Sequence, residues 1–357
     1  MKKIIFYLFF IVCFSLFGQE EVETKILFTH ENDLFGFINN NDENYTGGFS
    51  LELQFPEIDF IQPFFKLYNS KNIQRISLAG AGYTPQNLET NKPVIGDRPY
   101  ASFAYLGYGL ISINKYGTVL SSELNIGFMG LSGPGKVQSW IHDSKFFKLI
   151  TDRPVPEGWH NQIANGGALM INYNFKYSTK FNNHLSDIEI NENINKKIKY
   201  FDTALQLGLD LGNYMTNLNL GLYIDVFNLN NNTSLEYDSS STIQKNIIKE
   251  KSKFKSVVLN PTRDNSKKFK MNLFFKPNIR FAIHNSTLEG LLFNDNSIYK
   301  IPSEEVKRIL FEFSTGVNLN FKKRWLLRYS MSARSREFKG GKSMHYWGGV
   351  TIGYEFN

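Results

Sequence analysis

Cysteine is almost absent. The single copy, Cys13, sits inside an N-terminal apolar run. Once that run is removed no thiol is left, which excludes disulfide staples, cysteine nucleophiles and cysteine–zinc centres. Long apolar stretches are also scarce. Residues 4–17 form one, behind Lys2 and Lys3 and ahead of Gly18, Gln19 and Glu20. A basic start, a short apolar centre and a small residue mark a secretory leader over residues 1–18, with cleavage expected after Gly18. The run is short for a bilayer span, and no basic stop follows it. Cys13 lies within the run rather than at its end, so no lipoprotein anchor is expected. Neither sign of charge dominates. The net charge of +7, part of it on Lys2 and Lys3, is spread along the chain and does not suggest a nucleic-acid partner. Gly-x-Ser-x-Gly, Walker and His-Glu-x-x-His motifs are missing, which removes the common serine-hydrolase, nucleotide and zinc-peptidase signatures.

What the chain has is aromatic residues and alternation. Phe (32) and Tyr (18) far outnumber Trp (4), while mean hydropathy is −0.30. A membrane barrel combines such an apolar outer face with a polar lumen and polar loops. Leu51, Leu53 and Phe55 alternate with Glu52 and Gln54. Leu205, Leu207, Leu209 and Leu211 alternate with Gln206, Gly208 and Asp210. Period-two patterning sends one set toward lipid and the other toward the lumen. Twelve candidate strands follow: 24–31, 46–55, 73–82, 100–113, 117–129, 165–177, 200–212, 217–228, 269–284, 308–321, 323–336 and 345–356. An even number closes an antiparallel barrel with both termini on one side, and the final Tyr354-Glu355-Phe356 suits a closing strand. The fold expected for residues 19–357 is a single all-β transmembrane antiparallel barrel of about twelve strands, monomeric and in the outer membrane. A soluble secreted β protein is the competing class.

With the N-terminus periplasmic, loops 32–45, 83–99 and 130–164 share the outer side. The tight Asn114-Lys115-Tyr116-Gly117 turn falls inside, as short turns do. Residues 229–268 fit poorly, because a long lysine-rich connection there is unusual on the periplasmic side. They imply either an insertion or a miscounted strand.

Three outer loops carry candidate chemistry. The first holds Glu31-Asn32-Asp33 and Asp42-Glu43-Asn44-Tyr45-Thr46-Gly47-Gly48. Its Asn and Asp oxygens can simply make a turn, or hold a hard cation such as calcium, with Thr46 adding a hydroxyl. The second holds Lys92 and Gly96-Asp97-Arg98-Pro99-Tyr100-Ala101. Lys92 and Arg98 are either solvated loop charges or ligands for a phosphate. In the third, Lys136 to about Ile150 reads as a short helix. Gln138 and His142 share one face, and Trp140, Ile141, Phe146 and Phe147 offer apolar surface toward lipid. A lone His is more often structural, but one on a helix at a membrane rim beside acidic loops is a candidate base.

The ordered set Glu31-Asn32-Asp33, Asp42-x-x-Tyr45-Thr46-x-Gly48, Gly96-Asp97-Arg98-Pro99-Tyr100-Ala101, Val137-Gln138-x-x-x-His142 and Gly158-Trp159-x-x-Gln162 resembles the lipid A 3′-O-deacylase family of outer-membrane enzymes. The likeness covers roughly the first half of the chain beyond the leader; the second half matches only as barrel. It implies a twelve-stranded barrel that removes an ester-linked acyl chain from lipid A of lipopolysaccharide, at a site between the outer wall and a loop helix. In that scheme His142 activates water and calcium stabilises the oxyanion. Asn32, Asp33 and Thr46 hold calcium or the ester, Asn32 and Asp33 being the metal ligands, and Gln138 supports the site. Lys92 and Arg98 face phosphates. The family places an acidic residue about six positions after the histidine. Here Lys148 stands there, with Asp143 the nearest acid. The alternative to an enzyme is a small porin or a surface-binding barrel.

Overall fold

The computed structural model describes residues 24–36, 44–58, 64–151, 153–180, 187–188, 198–199, 201–226, 269–293, 297–321 and 324–356. Twelve strands close into one antiparallel barrel: β1 (Lys25–Asn32), β2 (Asn44–Pro56), β3 (Ser70–Thr84), β4 (Ala101–Asn114), β5 (Val119–Met129), β6 (Ala168–Lys180), β9 (Phe201–Gly212), β10 (Met215–Val226), β11 (Phe269–Asn285), β12 (Ile309–Phe321), β13 (Trp325–Ser335) and β14 (Met344–Glu355). A separate two-residue hairpin, β7 (Asp187–Ile188) with β8 (Ile198–Lys199), lies in the β6–β9 connection. β1 pairs with both β2 and β14, so the ring has no free edge. Closure is what a bilayer demands, since an unpaired strand edge has no water to bond there. All twelve expected strands are present in the expected order. The leader and the 229–268 connection lie outside the described residues.

Alternation works as the sequence implies. Leu106 in the middle of β4 points outward and is 61% exposed, while Gly107 faces the lumen. A Cβ on Gly107 would sit within 2.5 Å of Ser77, Glu123 and Asn125, so the bare glycine makes room for a packed polar interior. There Arg75 pairs with Glu123, which also accepts from Ser77. The apolar outer face continues through Phe28, Ile126, Leu169, Leu218, Phe311 and Ile352.

The two ends differ. At one, Asn114 Oδ1 accepts from the backbone N–H groups of Tyr116 and Thr118, tying β4 to β5 in a tight turn with Gly117 at φ 77°. The other end carries the β1–β2, β3–β4, β5–β6, β11–β12 and β13–β14 connections and is capped by them. The expected single helix is two. α1 (Ser132–Asp143) starts earlier than expected, with Pro134 in its first turn where no N–H is needed. α2 (Lys145–Ile150) follows after Ser144, whose extended backbone breaks the run and whose hydroxyl caps Phe147 N. A third short helix, α3 (Ser286–Glu289), opens the β11–β12 connection.

That connection spans the mouth. Arg98 of the β3–β4 loop donates to Thr287 Oγ1 (2.6 Å) at the opposite side of the ring. Tyr299 Oη accepts from Gly96 N (2.7 Å). Beneath them Phe103, Ile163, Tyr214 and Leu291 join in one buried apolar cluster. The lumen is thus filled at this end by side chains from both sides of the barrel. Leu106→Arg is expected to cost about 2–4 kcal/mol, the range for a cation forced onto the lipid face near mid-bilayer. Denaturant titration of the barrel in lipid vesicles measures it; an unchanged midpoint would mean that this face does not meet lipid.

Candidate active site

β1 ends at Asn32, whose side-chain oxygen accepts from Leu34 N (2.7 Å) and starts a short 3-10 turn over Asp33–Phe35. This is the turn-making role open to an Asn at a strand end, and it fixes Asp33 in a fully buried position. Asn32 is paired across the sheet with Gly47, next to Thr46. Thr46 Oγ1 in turn hydrogen-bonds Thr84 Oγ1 across to β3 (2.6 Å). The first-loop residues Asn32, Asp33 and Thr46 therefore come together at the capped end of β1 and β2.

His142 and Gln138 lie one turn apart on α1, which packs against β3, β4 and the turn Trp159–Asn161. A Cβ on Gly135 would be 2.6 Å from the Trp159 ring, so glycine there lets the helix settle directly on the indole. Trp159 Nε1 donates to Gln138 Oε1 (2.9 Å). An indole N–H can only donate, so the carboxamide oxygen must face it. The Gln138 NH2 group is then presented on the other side, buried and without a partner among the described residues. His142 is 3% exposed and stacks on Phe147 (4.4 Å between ring centres). Its Nδ1 lies 2.7 Å from the Pro154 carbonyl oxygen. A carbonyl only accepts, so Nδ1 carries the proton and Nε2 the lone pair, the tautomer a general base requires.

Residues 153 and 154 join these two groups. Pro154 holds His142, and Arg153 Nη1 contacts both carboxylate oxygens of Asp33 (3.1 and 3.2 Å). Lys342 of the β13–β14 loop also senses the Asp33 charge. Burial lowers its pKa while Asp33 pulls the other way. A rim cavity of about 710 Å³ opens beside this cluster, walled by Pro154, Lys342, Asn44, Leu88 and Ile95. Lys92, on the same loop as Ile95, is exposed.

One expectation needs correction. Arg98 does not face outward. It is 1% exposed and bonds Glu337 (2.5 Å) and Thr287, with Tyr83 under its guanidinium (4.4 Å). Its charge is spent inside the mouth, because Glu337 is buried there and needs compensation. The setting expected to hold calcium has its own chemistry. Among the described residues no group of three His, Asp or Glu side chains converges. Around Asp33 stands a guanidinium, and Asn32 Oδ1 is already taken by the turn. Lys148, where an acid is expected, pairs outward with Asp143 (2.7 Å). Among the described residues, one buried carboxylate facing an arginine is a poor donor set for a cation that takes six to eight oxygens.

Sequence reasoning missed Arg153, Trp159 as the partner of Gln138, Glu337 and Lys342. Trp159 and Gln162 were visible as motif positions. Gln162 ties the third loop down, accepting from Ser102 Oγ (2.8 Å) and donating to Gly130 O (3.1 Å). Arg153 had no local signal, since Asp33 is 120 positions away.

Burial would raise the pKa of Glu337, but Arg98 and Arg334 outweigh it and hold the carboxyl at about 2. A depressed carboxyl stabilises the folded state above its unfolded value of 4.5 and loses that contribution as pH falls toward about 2. Arg98→Ala is expected to cost up to about 3–5 kcal/mol, because it breaks a buried pair and leaves Glu337 with Arg334 as its remaining guanidinium partner. It should also flatten acid unfolding between pH 4.5 and about 2, followed by tryptophan fluorescence. A variant as stable and as acid-sensitive as the parent would refute the pairing.

Residues 4–356 match the family described as "Outer membrane protein LpxR". No curated protein sequence matches the chain. Among solved structures, LpxR from Salmonella typhimurium has a similar fold at 15% identity, with a TM-score of 0.65, covering 93% of this chain and 100% of that one. The beta domain of the Bordetella autotransporter BrkA aligns at 10% identity over 94% of this chain and 100% of its own, with a TM-score of 0.43. That value is too low to carry an argument. A profile match over nearly the whole chain identifies the family: the protein belongs to the LpxR outer membrane proteins, the lipid A 3′-O-deacylase family that its loop motifs resemble.

Proposed function

We propose that this barrel hydrolyses an ester-linked acyl chain of lipid A, at the capped end of the barrel and facing outside the cell. The observation that carries this reading is the pairing of His142, tautomerically set as a base, with the buried Asp33–Arg153 group through one dipeptide. His142 Nε2 takes a proton from water as the water attacks the ester carbonyl, and returns it to the leaving alcohol. The Gln138 NH2 group, one helical turn away and buried without a hydrogen-bond partner among the described residues, would donate to a polar atom of the bound ester. Thr46 and Asn32 hold the β1–β2 end in shape. Lys342 in the wall of the rim cavity, and Lys92 exposed on the β3–β4 loop, suit the phosphates of a glycolipid headgroup. Val137, Trp140 and Leu149 are exposed on the loop helices and offer an apolar surface for acyl chains.

A porin needs an open lumen. The mouth here is crossed by Arg98–Thr287 and packed by Phe103, Tyr214 and Leu291, which disfavours conduction. Mass spectrometry of lipid A from cells with and without the expressed protein tests the reading. Loss of one acyl chain is expected, and an unchanged acyl count with a folded barrel refutes it. His142→Ala and Asp33→Ala should each abolish the loss while keeping heat-modifiable gel migration, since both residues lie outside the barrel ladder. Full deacylation by either variant would remove that residue from the chemistry.

A further inference from the structure

The cation beside Asp33 is part of the chain. Asp33 is fully buried, and the Arg153 guanidinium lies against both its oxygens, itself largely shielded with 14% of its side chain exposed. Arg153 is held from two directions. Its charge is fixed by Asp33, and its backbone is fixed by the neighbouring Pro154 carbonyl on His142. A positive group that is preorganised in a shielded site, on the residue adjoining the Pro154 carbonyl that holds the base, is what developing negative charge on an ester oxygen requires. Arginine keeps its charge at any pH the enzyme meets and offers several donors on a rigid plane. The surroundings that fail as a calcium site therefore serve as the seat of a fixed guanidinium.

We propose that Arg153, seated on Asp33, is the catalytic cation of this enzyme, and that deacylation proceeds without calcium. The inference rests on the deacylase reading. In the first step the water oxygen bonds to the ester carbonyl carbon and the water proton moves to His142 Nε2. The carbonyl π pair moves onto its oxygen, which faces Arg153. On collapse that pair re-forms the carbonyl and the bond to the lipid A oxygen breaks. The leaving oxygen takes the proton from His142. The products are a fatty acid and a lipid A hydroxyl, and His142 is regenerated with its lone pair on Nε2.

The test uses the full folded barrel in detergent, washed with a chelator. Calcium binding is measured by titration calorimetry, and deacylation of detergent-solubilised lipid A by mass spectrometry, with chelator or with added calcium. No stoichiometric calcium binding and equal deacylation in both conditions are expected. Arg153→Gln should lower the rate about 100- to 1000-fold in both conditions, and Arg153→Lys, which keeps the charge, should recover part of it. Stoichiometric calcium binding that Asp33→Asn removes would overturn the proposal, as would activity that chelator abolishes and calcium restores. Because both readouts use the wild-type chain, they hold even if Arg153→Gln fails to fold. A folded wild-type barrel that is inactive in every condition overturns the deacylase function itself, and the role of Arg153 with it.

Discussion

The contact between Asp33 and Arg153 joins two parts of the molecule that the barrel ladder alone does not connect. Asp33 belongs to the wall, held by the turn that closes β1. Arg153 belongs to the long β5–β6 loop, which carries α1 and the candidate base. A buried ion pair is poor evidence for net stability, because desolvation offsets much of the attraction. Its worth here is in placement. An unpaired Asp33 in a fully buried position would be costly, so the loop has one favoured seat, and His142 follows through Pro154.

The same logic recurs at the mouth. Arg280, Glu312, Arg334, Glu337 and Arg98 form a run of alternating charge from β11 and β12 across to the β3–β4 loop. Each carboxylate touches two guanidinium groups. Such a network is satisfied only when the β13–β14 loop, the β11–β12 connection and the β3–β4 loop are all in place. It therefore fixes the rim against which the β5–β6 loop docks, and it closes the lumen at this end. Arg98, buried and paired with Glu337 and Thr287, is part of this architecture, which accounts for its place in a motif by structure.

The barrel was legible in the sequence because period-two alternation is local and strong. Runs such as residues 205–211 and 350–356 place their strands without reference to anything distant. The site was half legible. Gln138 and His142 stand one turn apart on any helix, and Asn32–Asp33 sit at a strand end recognisable from its turn chemistry. Partnerships were not legible. Arg98 meets Glu337 across 239 positions, and nothing near either residue announces the other. Lys148 could be seen to stand where the resemblance implies an acid, but the arginine that meets Asp33 lies five positions further on, with no spacing rule to point to it. The break at Ser144 was also hidden, since a serine inside a helical pattern is compatible with both continuation and a new cap.

A crystal structure of the folded barrel with a phosphonate analogue of the acyl ester tests the arrangement most directly. The tetrahedral phosphonate mimics the oxyanion stage of hydrolysis. One phosphonate oxygen should lie within hydrogen-bond distance of the Arg153 guanidinium while another faces His142 Nε2, with Asp33 still on Arg153. A phosphonate bound to a metal ion that has displaced Arg153 from Asp33, or one seated away from His142, would contradict the account.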